Sequence, residues 1–147
     1  MTGPAAIAHF KGAHWFLSNF APSLVLVDGQ EYPTVEHAYQ ASKTRVPIER
    51  RLIRAAISPG DAKRLGKQIT LRDDWENVRL DVMRDLLRAK FHPLGLRTLL
   101  LSTGERLLIE GNNWNDTFWG VCKGQGENNL GKLLMLTRDK YRNGDYT

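Results

Sequence analysis

The chain has 147 residues, 41% of them hydrophobic and 25% charged, with a formal net charge of +5. That is the length of one ordinary domain and the composition of a soluble globular protein with a real core. No apolar run approaches spanning length and no basic-then-apolar start marks secretion, so neither membrane insertion nor export is expected, and a cytoplasmic protein is.

Met1 to His9 is small and apolar without a period, and reads as a loosely held end. Phe10 to Phe20, FKGAHWFLSNF, is aromatic-rich, with a turn at Ser18-Asn19. Leu24 to Val27 is a short apolar run. Asp28-Gly29 after it is a hairpin signal, with Gln30 to Tyr32 as the returning strand. Pro33 discourages an early helix start, Thr34 suits an N-cap, and Val35 to Lys43 continue without a breaker. At about 100° per residue, Glu36, Gln40 and Lys43 share one stripe, and Val35, Ala38, Tyr39 and Ser42 the other side. Glu36 and Lys43 lie about 10 Å apart along the axis, too far for a simple ion pair but within reach of one ligand. The plainer reading of this face is a solvated one.

Pro47 to Ile57 predicts a second helix with Ile48, Leu52, Ala55 and Ala56 on its apolar face. Ser58-Pro59-Gly60-Asp61 restarts the chain into a third, to about Lys67. Asp73 and Glu76 have capping-box spacing and open the longest helix, Asp74 to about Phe91, with an inward stripe of Trp75, Val78, Val82, Leu86 and Ala89. Leu94 to Leu101 is a further helix closed by Gly104. Arg106 to Glu110 is a candidate strand, and Gly111 to Glu127, with four glycines and two tryptophans, is a long ordered loop of the kind that binds ligands. The last helix runs from Asn128 or Asn129 to Arg142, offering Leu130, Leu133, Leu134 and Tyr141 for packing. Without repeats or linkers, residues 1–147 read as a single domain. It is α+β, mainly helical around a small antiparallel sheet.

The lone Cys122 rules out an internal disulfide and any multi-cysteine zinc site, and reads as packing. His9, His14, His37 and His92 form no metal-ligand spacing, so no metal and no cofactor are expected. From Lys43 to Arg72 nine Lys/Arg face two acids, Glu49 and Asp61. Such a stretch suits phosphate on a small metabolite or on nucleic acid, or simply solubilises a surface. Gly124-x-Gly126-x-Asn128 before a helix places free backbone N–H groups at the positive end of a dipole, which favours phosphate, although it lacks the Lys-Ser/Thr of a Walker A loop. Asp116, between Trp114 and Trp119, is either partly desolvated and fit for proton transfer or the cap of a turn. Trp75 either stacks on a flat base or anchors the core.

Together these pieces resemble the YbiA-like N-glycosidases of the NADAR superfamily. The matching blocks are FLSNFAP (16–22), LVLVDGQEYPTVEHAYQASK (24–43), DWENVRLDVM (74–83), AKF (89–91), LLIEG (107–111), DTFWG (116–120) and GQGENNLGKLLM (124–135). GNNWN (111–115) departs from the family's usual shorter approach to Asp116. The resemblance implies hydrolysis of the C–N bond between ribose C1′ and a base-like nitrogen. The substrate it implies is a small phosphorylated ribosyl compound, a phosphoribosylamino-pyrimidine intermediate of riboflavin synthesis. Other members of the superfamily remove ADP-ribose from guanine, which makes ADP-ribosylated DNA or RNA the alternative substrate. A non-catalytic nucleotide-binding module is the alternative of another class. The resemblance implies that Glu36, Trp75, Asp116 and Lys43 are catalytic. It places Asn19, Gly126 and Asn128 around the bound ribose and phosphate, and Gln40 and Trp119 are expected to bind substrate beside them.

Overall fold

The computed structural model describes residues 5–146. Among them the fold is mainly helical α+β, with seven helical segments and four short strands, and it divides into two compact units. Asn19–Lys90 forms one; the stretches before Asn19 and from Phe91 onward form the other.

In the first unit, strands β1 (Val25–Val27) and β2 (Gln30–Tyr32) pair antiparallel, Val25 opposite Tyr32 and Val27 opposite Gln30. Asp28 and Gly29 between them both have positive φ, 49° and 79°, as a two-residue hairpin whose twist matches its strands requires. Helix α1 (Val35–Ser42) follows, and the Thr34 hydroxyl accepts the His37 N–H at 3.1 Å. A cap of this kind stabilises a helix by about 1 kcal/mol. The solvated face expected of α1 is absent, because every residue from Val35 to Ser42 is buried.

Helix α2 (Pro47–Arg54) stops earlier than expected and turns the other way. Ile48, Leu52 and Ala55 are exposed, and Ile53 is the fully buried residue. Its half-buried side carries Glu49 and Arg50. The Glu49 carboxylate accepts from the Thr44 hydroxyl, the Thr70 N–H at 3.0 Å and the Thr70 hydroxyl at 3.1 Å. Arg50 donates to the Thr44 carbonyl at 2.7 Å and to Asp28 in the hairpin turn at 2.9 Å. Polar contacts to the hairpin and to the α1–α2 connection thus decide which face is inward.

Helix α3 (Pro59–Leu65) starts as expected, with the Ser58 hydroxyl accepting the Asp61 N–H at 3.1 Å. It packs against α1 through Gly66. A Cβ there would lie 1.9 Å from Gln40 Oε1, so any larger residue displaces the Gln40 side chain. Helix α4 (Trp75–Phe91) begins one residue later than the capping-box spacing predicts. The Asp74 carbonyl, not that of Asp73, accepts the first helical bond, from the Val78 N–H at 3.1 Å. The Asp74 carboxylate is taken by Arg72 at 2.6 and 3.0 Å and by Arg45 at 3.1 Å. The inward stripe of α4 is rotated from the expected one: Trp75, Met83, Leu86, Leu87 and Lys90 are buried, while Val78, Val82 and Ala89 are half-buried.

In the second unit a 3-10 helix spans Gly12–Leu17, followed in chain order by α5 (Leu94–Ser102), β3 (Gly111–Asn112), β4 (Val121–Cys122) and α6 (Asn129–Arg142). The start of the described chain is not loose. Ile7 is buried, and its N–H and C=O bond the Leu107 carbonyl at 2.8 Å and the Ile109 N–H at 2.9 Å. The rest of that expectation, on residues 1–4, lies outside the described residues. Of the strand expected over 106–110, one parallel bridge at Leu108 forms. β3 and β4 add a parallel pair to the antiparallel hairpin, inside the stretch read as a loop. Each is two residues long, too short for any period to register. Gly104 closes α5 with φ 65°, and the Arg138 guanidinium ties α6 to that end, donating to the Thr103 hydroxyl and the Arg106 carbonyl, both at 2.9 Å.

Two measurements check this packing. Gly66→Ala forces the Gln40 side chain to move. It should cost about 1–3 kcal/mol of stability, a fall in Tm of about 2–12 °C. The Arg72 guanidinium beside Asp74 holds its carboxyl at about 2, below the ordinary 3.8. A folded-state value below the unfolded one stabilises at higher pH, so this contribution is full above about pH 4 and fades as pH falls toward 2. The Tm difference between the wild type and Asp74→Asn should shrink over that window. A constant difference would remove the Arg72–Asp74 pair as its cause.

Candidate active site

Five of the residues singled out from the sequence gather in the first unit around α1. Glu36 sits in the first turn, 7% exposed, where the helix dipole favours a negative charge. Its backbone N–H donates to the Asn19 carbonyl at 3.1 Å, and its Oε1 accepts from Gln40 Nε2 at 2.8 Å. Glu36 and Gln40 are therefore joined one turn apart, as their shared stripe predicts. Asn19 lies at the same end. Its amide nitrogen approaches Met83 Sδ at 3.7 Å, while its Oδ1 is buried without a partner. Gln40 Oε1 is also buried and unpartnered, lying against Gly66. An unmet buried acceptor costs about 1–3 kcal/mol.

Lys43 is the residue that ends α1. Its Nζ stands 5.6 Å from the centre of the Tyr39 ring, and Tyr39 in turn packs on Trp75, ring centres 5.2 Å apart and tilted by 55°. Burial pushes the Lys43 ammonium below its ordinary value. Glu36 opposes that shift, and Lys63 and Lys67 reinforce it. The neutral amine is thereby more accessible than on a surface lysine. Trp75 is 4% exposed, with Tyr39 against it, which leaves little of its face for a flat base.

Several supports of this arrangement escaped the sequence reading. Arg72 donates its N–H to the Lys43 carbonyl at 2.8 Å and its guanidinium to the Ser42 carbonyl at 3.4 Å, so it satisfies the open end of α1. The His37 ring is buried between the Thr34 hydroxyl, 2.7 Å from Nδ1, and the Ala56 carbonyl, 3.0 Å from Nε2. A carbonyl only accepts, so Nε2 carries a proton and donates to Ala56. Tyr39 was assigned to the packing side, yet it links Lys43 to Trp75. The contacts of Arg72 with Lys43 and Ser42, of His37 with Ala56 and of Tyr39 with Trp75 join residues far apart in the sequence, and no local spacing announces them.

The other four residues gather in the second unit. Asp116 caps a turn: its Oδ1 accepts the Phe118 and Trp119 N–H groups at 3.2 and 2.9 Å. The Asn112 side chain holds both sides of the Asp116 peptide, accepting its N–H at 3.0 Å and donating to its carbonyl at 2.8 Å. This is how the longer GNNWN approach is organised. Asp116 is half-buried, while Trp114 is 52% exposed and Trp119 packs edge-on against Phe118 at 4.8 Å.

From Glu127 to Leu130 the N–H groups before and at the start of α6 are taken by loop carbonyls. The N–H groups of Glu127, Asn128, Asn129 and Leu130 donate to the carbonyls of Thr117, Gly120, Phe118 and Trp119, at 2.8, 3.3, 3.2 and 3.0 Å. Asn128 has φ 54° and makes no side-chain cap. Its amide instead spans Leu108 and Glu110, donating to the first carbonyl and accepting the second N–H, both at 2.9 Å. Gly126, with φ 145°, lies so close to Gly120 that a Cβ would approach its carbonyl oxygen to 2.1 Å. The glycines before α6 serve loop closure, and the positive end of the helix is spent on the loop.

No group of three His, Cys, Asp or Glu able to hold a metal occurs among the described residues. No helix there is long and apolar enough to cross a membrane.

A family model for the NADAR domain matches residues 8–142 of the chain. The N-glycosidase YbiA of Escherichia coli (strain K12) is 44% identical over 127 residues, covering 84% of this chain and 79% of that protein. The riboflavin biosynthesis protein VVA0006 of Vibrio vulnificus (strain YJ016) is 38% identical over 132 residues, which make up 86% of this chain and 35% of that protein. The NMR structure of E. coli YbiA matches with a TM-score of 0.84 at 39% identity, over 97% of this chain and 89% of that one. With most of its length matched, the chain is a member of the NADAR family.

Proposed function

We propose that this protein hydrolyses the C–N bond between ribose C1′ and a base-like nitrogen in a phosphoribosylamino-pyrimidine intermediate of riboflavin synthesis. N-glycosidase activity follows from the 44% identity to YbiA. The riboflavin name carried by VVA0006 supports the choice of substrate. The observation that carries the chemistry is the buried Glu36 carboxylate, oriented by Gln40 on the helix that ends in Lys43. The family match runs through both compact units, and we take residues 1–147 to act as one domain.

Departure of the nitrogen leaves positive charge on the ribose ring, which a fixed carboxylate stabilises. Glu36 has that role. Water then bonds to C1′ and loses a proton, while the departing nitrogen gains one. Asp116 is the proposed proton donor or water guide. Asn19 Oδ1 and Gln40 Oε1 supply acceptors for sugar hydroxyls. Trp75 acts through the Tyr39 ring that it backs. Trp119, Gly126 and Asn128 shape the loop that carries Asp116. Lys43 acts in one of two ways. As a cation it contacts ribose or phosphate. As a neutral amine it bonds to C1′ as the C1′–N bond breaks; the ring opens to an imine, and water then releases the sugar.

A second reading is favoured by the lowered proton affinity of Lys43 and the basic surface around it: removal of ADP-ribose from guanine in nucleic acid. Incubation with the riboflavin intermediate and with ADP-ribosylated DNA, side by side, distinguishes the two by release of ribose 5-phosphate or ADP-ribose. Glu36→Gln should lower kcat at least about 100-fold while leaving substrate binding largely intact. Wild-type turnover in that variant would take Glu36 out of the mechanism and favour a non-catalytic binding module. Borohydride added during turnover should leave a sugar adduct on Lys43 if the imine route operates, and none if Lys43 acts as a cation.

A further inference from the structure

In the basic stretch from Lys43 to Arg72, Arg45 and Arg72 share Asp74, Arg50 pairs with Asp28, and Arg64 pairs with Asp61. Lys63 and Lys67 stand four residues apart and flank Gly66, the residue seated against the Gln40 side chain. Gln40 shares its stripe of α1 with Lys43, less than one turn away. The close contact at Gly66 brings the end of α3 that carries both lysines against α1 within one turn of Lys43. Their charges reach Lys43, since both make it harder to protonate. Three ammonium groups gathered in this way repel one another, and an anion of multiple charge offsets the repulsion.

We propose that Lys63 and Lys67, with Lys43, form the seat of the substrate's phosphate monoester. The identity of that phosphate rests on the N-glycosidase reading; the place of the seat rests on the contact between α1 and α3. The other anion seat suggested by the sequence, at the start of α6, has given its N–H groups to loop carbonyls. A phosphate held by Lys63 and Lys67 extends the substrate along the Glu36–Gln40–Lys43 stripe, with its charged end at Lys43 and its sugar toward Glu36.

Ribose 5-phosphate and ribose serve as probes, titrated calorimetrically into the full chain. The comparison uses wild type, the double variant Lys63→Gln/Lys67→Gln, and Arg51→Gln as a control from the same stretch. Wild type and the control should bind ribose 5-phosphate well over tenfold more tightly than ribose. The double variant should lose about tenfold per lysine for ribose 5-phosphate alone, with its circular dichroism spectrum unchanged. In turnover its KM should rise while kcat holds. Wild-type affinity in the double variant, or equal weakening toward ribose, overturns the proposal. The two readings fail separately. If no ribosylamine is cleaved while binding still depends on the lysines, the glycosidase reading falls and the seat stands. If cleavage proceeds with an unchanged KM in the double variant, the seat falls and the glycosidase stands.

Discussion

Polar atoms are costly to bury without partners, and α1 is buried on every side with Glu36, His37, Gln40 and Ser42 on it. Most of the surrounding unit is arranged to meet that demand. Thr34 and the Ala56 carbonyl hold the His37 ring, and the Ser42 hydroxyl folds back onto the Ala38 carbonyl at 2.7 Å. Asn19 supplies a carbonyl to the first turn, and Arg72 closes the last. Gly66 clears the volume that Gln40 fills. Glu36 can be kept inside because each of these supports fixes one end or one face of its helix. A surface helix bearing the same residues would leave its carboxylate hydrated and mobile, and unable to stabilise a cationic sugar ring.

The long glycine-rich segment in the other unit solves a different problem. Its backbone folds onto the start of α6, so that four N–H groups lacking helical partners are met by four carbonyls of 117–120. Asp116 and Asn112 fix the turn on the other side. The result is a loop held by main-chain bonds, which explains how a stretch with four glycines keeps one conformation. It also removes the usual reason for reading glycines before a helix as a phosphate cradle.

What the sequence disclosed follows the range of the interactions involved. Rules acting within four residues read well: the Thr34 and Ser58 caps, the Asp28-Gly29 turn, the Gly104 stop and the extent of α6. Patterns that assume an apolar interior failed where the interior is polar. Helix α2 turns Ile48 and Leu52 out because Glu49 and Arg50 have partners in Thr44, Thr70 and Asp28. The stripe of α4 rotated toward Met83, Leu87 and Lys90, and period alone gave no weight to a buried lysine. Glu36, Gln40 and Lys43 were legible as a stripe. Tyr39 behind Lys43 and Arg72 beneath it belong to the tertiary fold.

Lys43 is drawn by opposing influences, and its role depends on which prevails. Burial and the charges of Lys63 and Lys67 favour the neutral amine, while Glu36 favours the ammonium. A phosphate seated on Lys63 and Lys67 cancels part of the repulsion that holds the proton off Lys43. A substrate that places a phosphate there turns Lys43 toward its cationic form and leaves Glu36 as the group that meets the developing charge on the sugar. A substrate with its phosphates elsewhere leaves the repulsion in place and the amine available to attack C1′. The same four residues can therefore support either route, with the position of the anion on the substrate selecting between them.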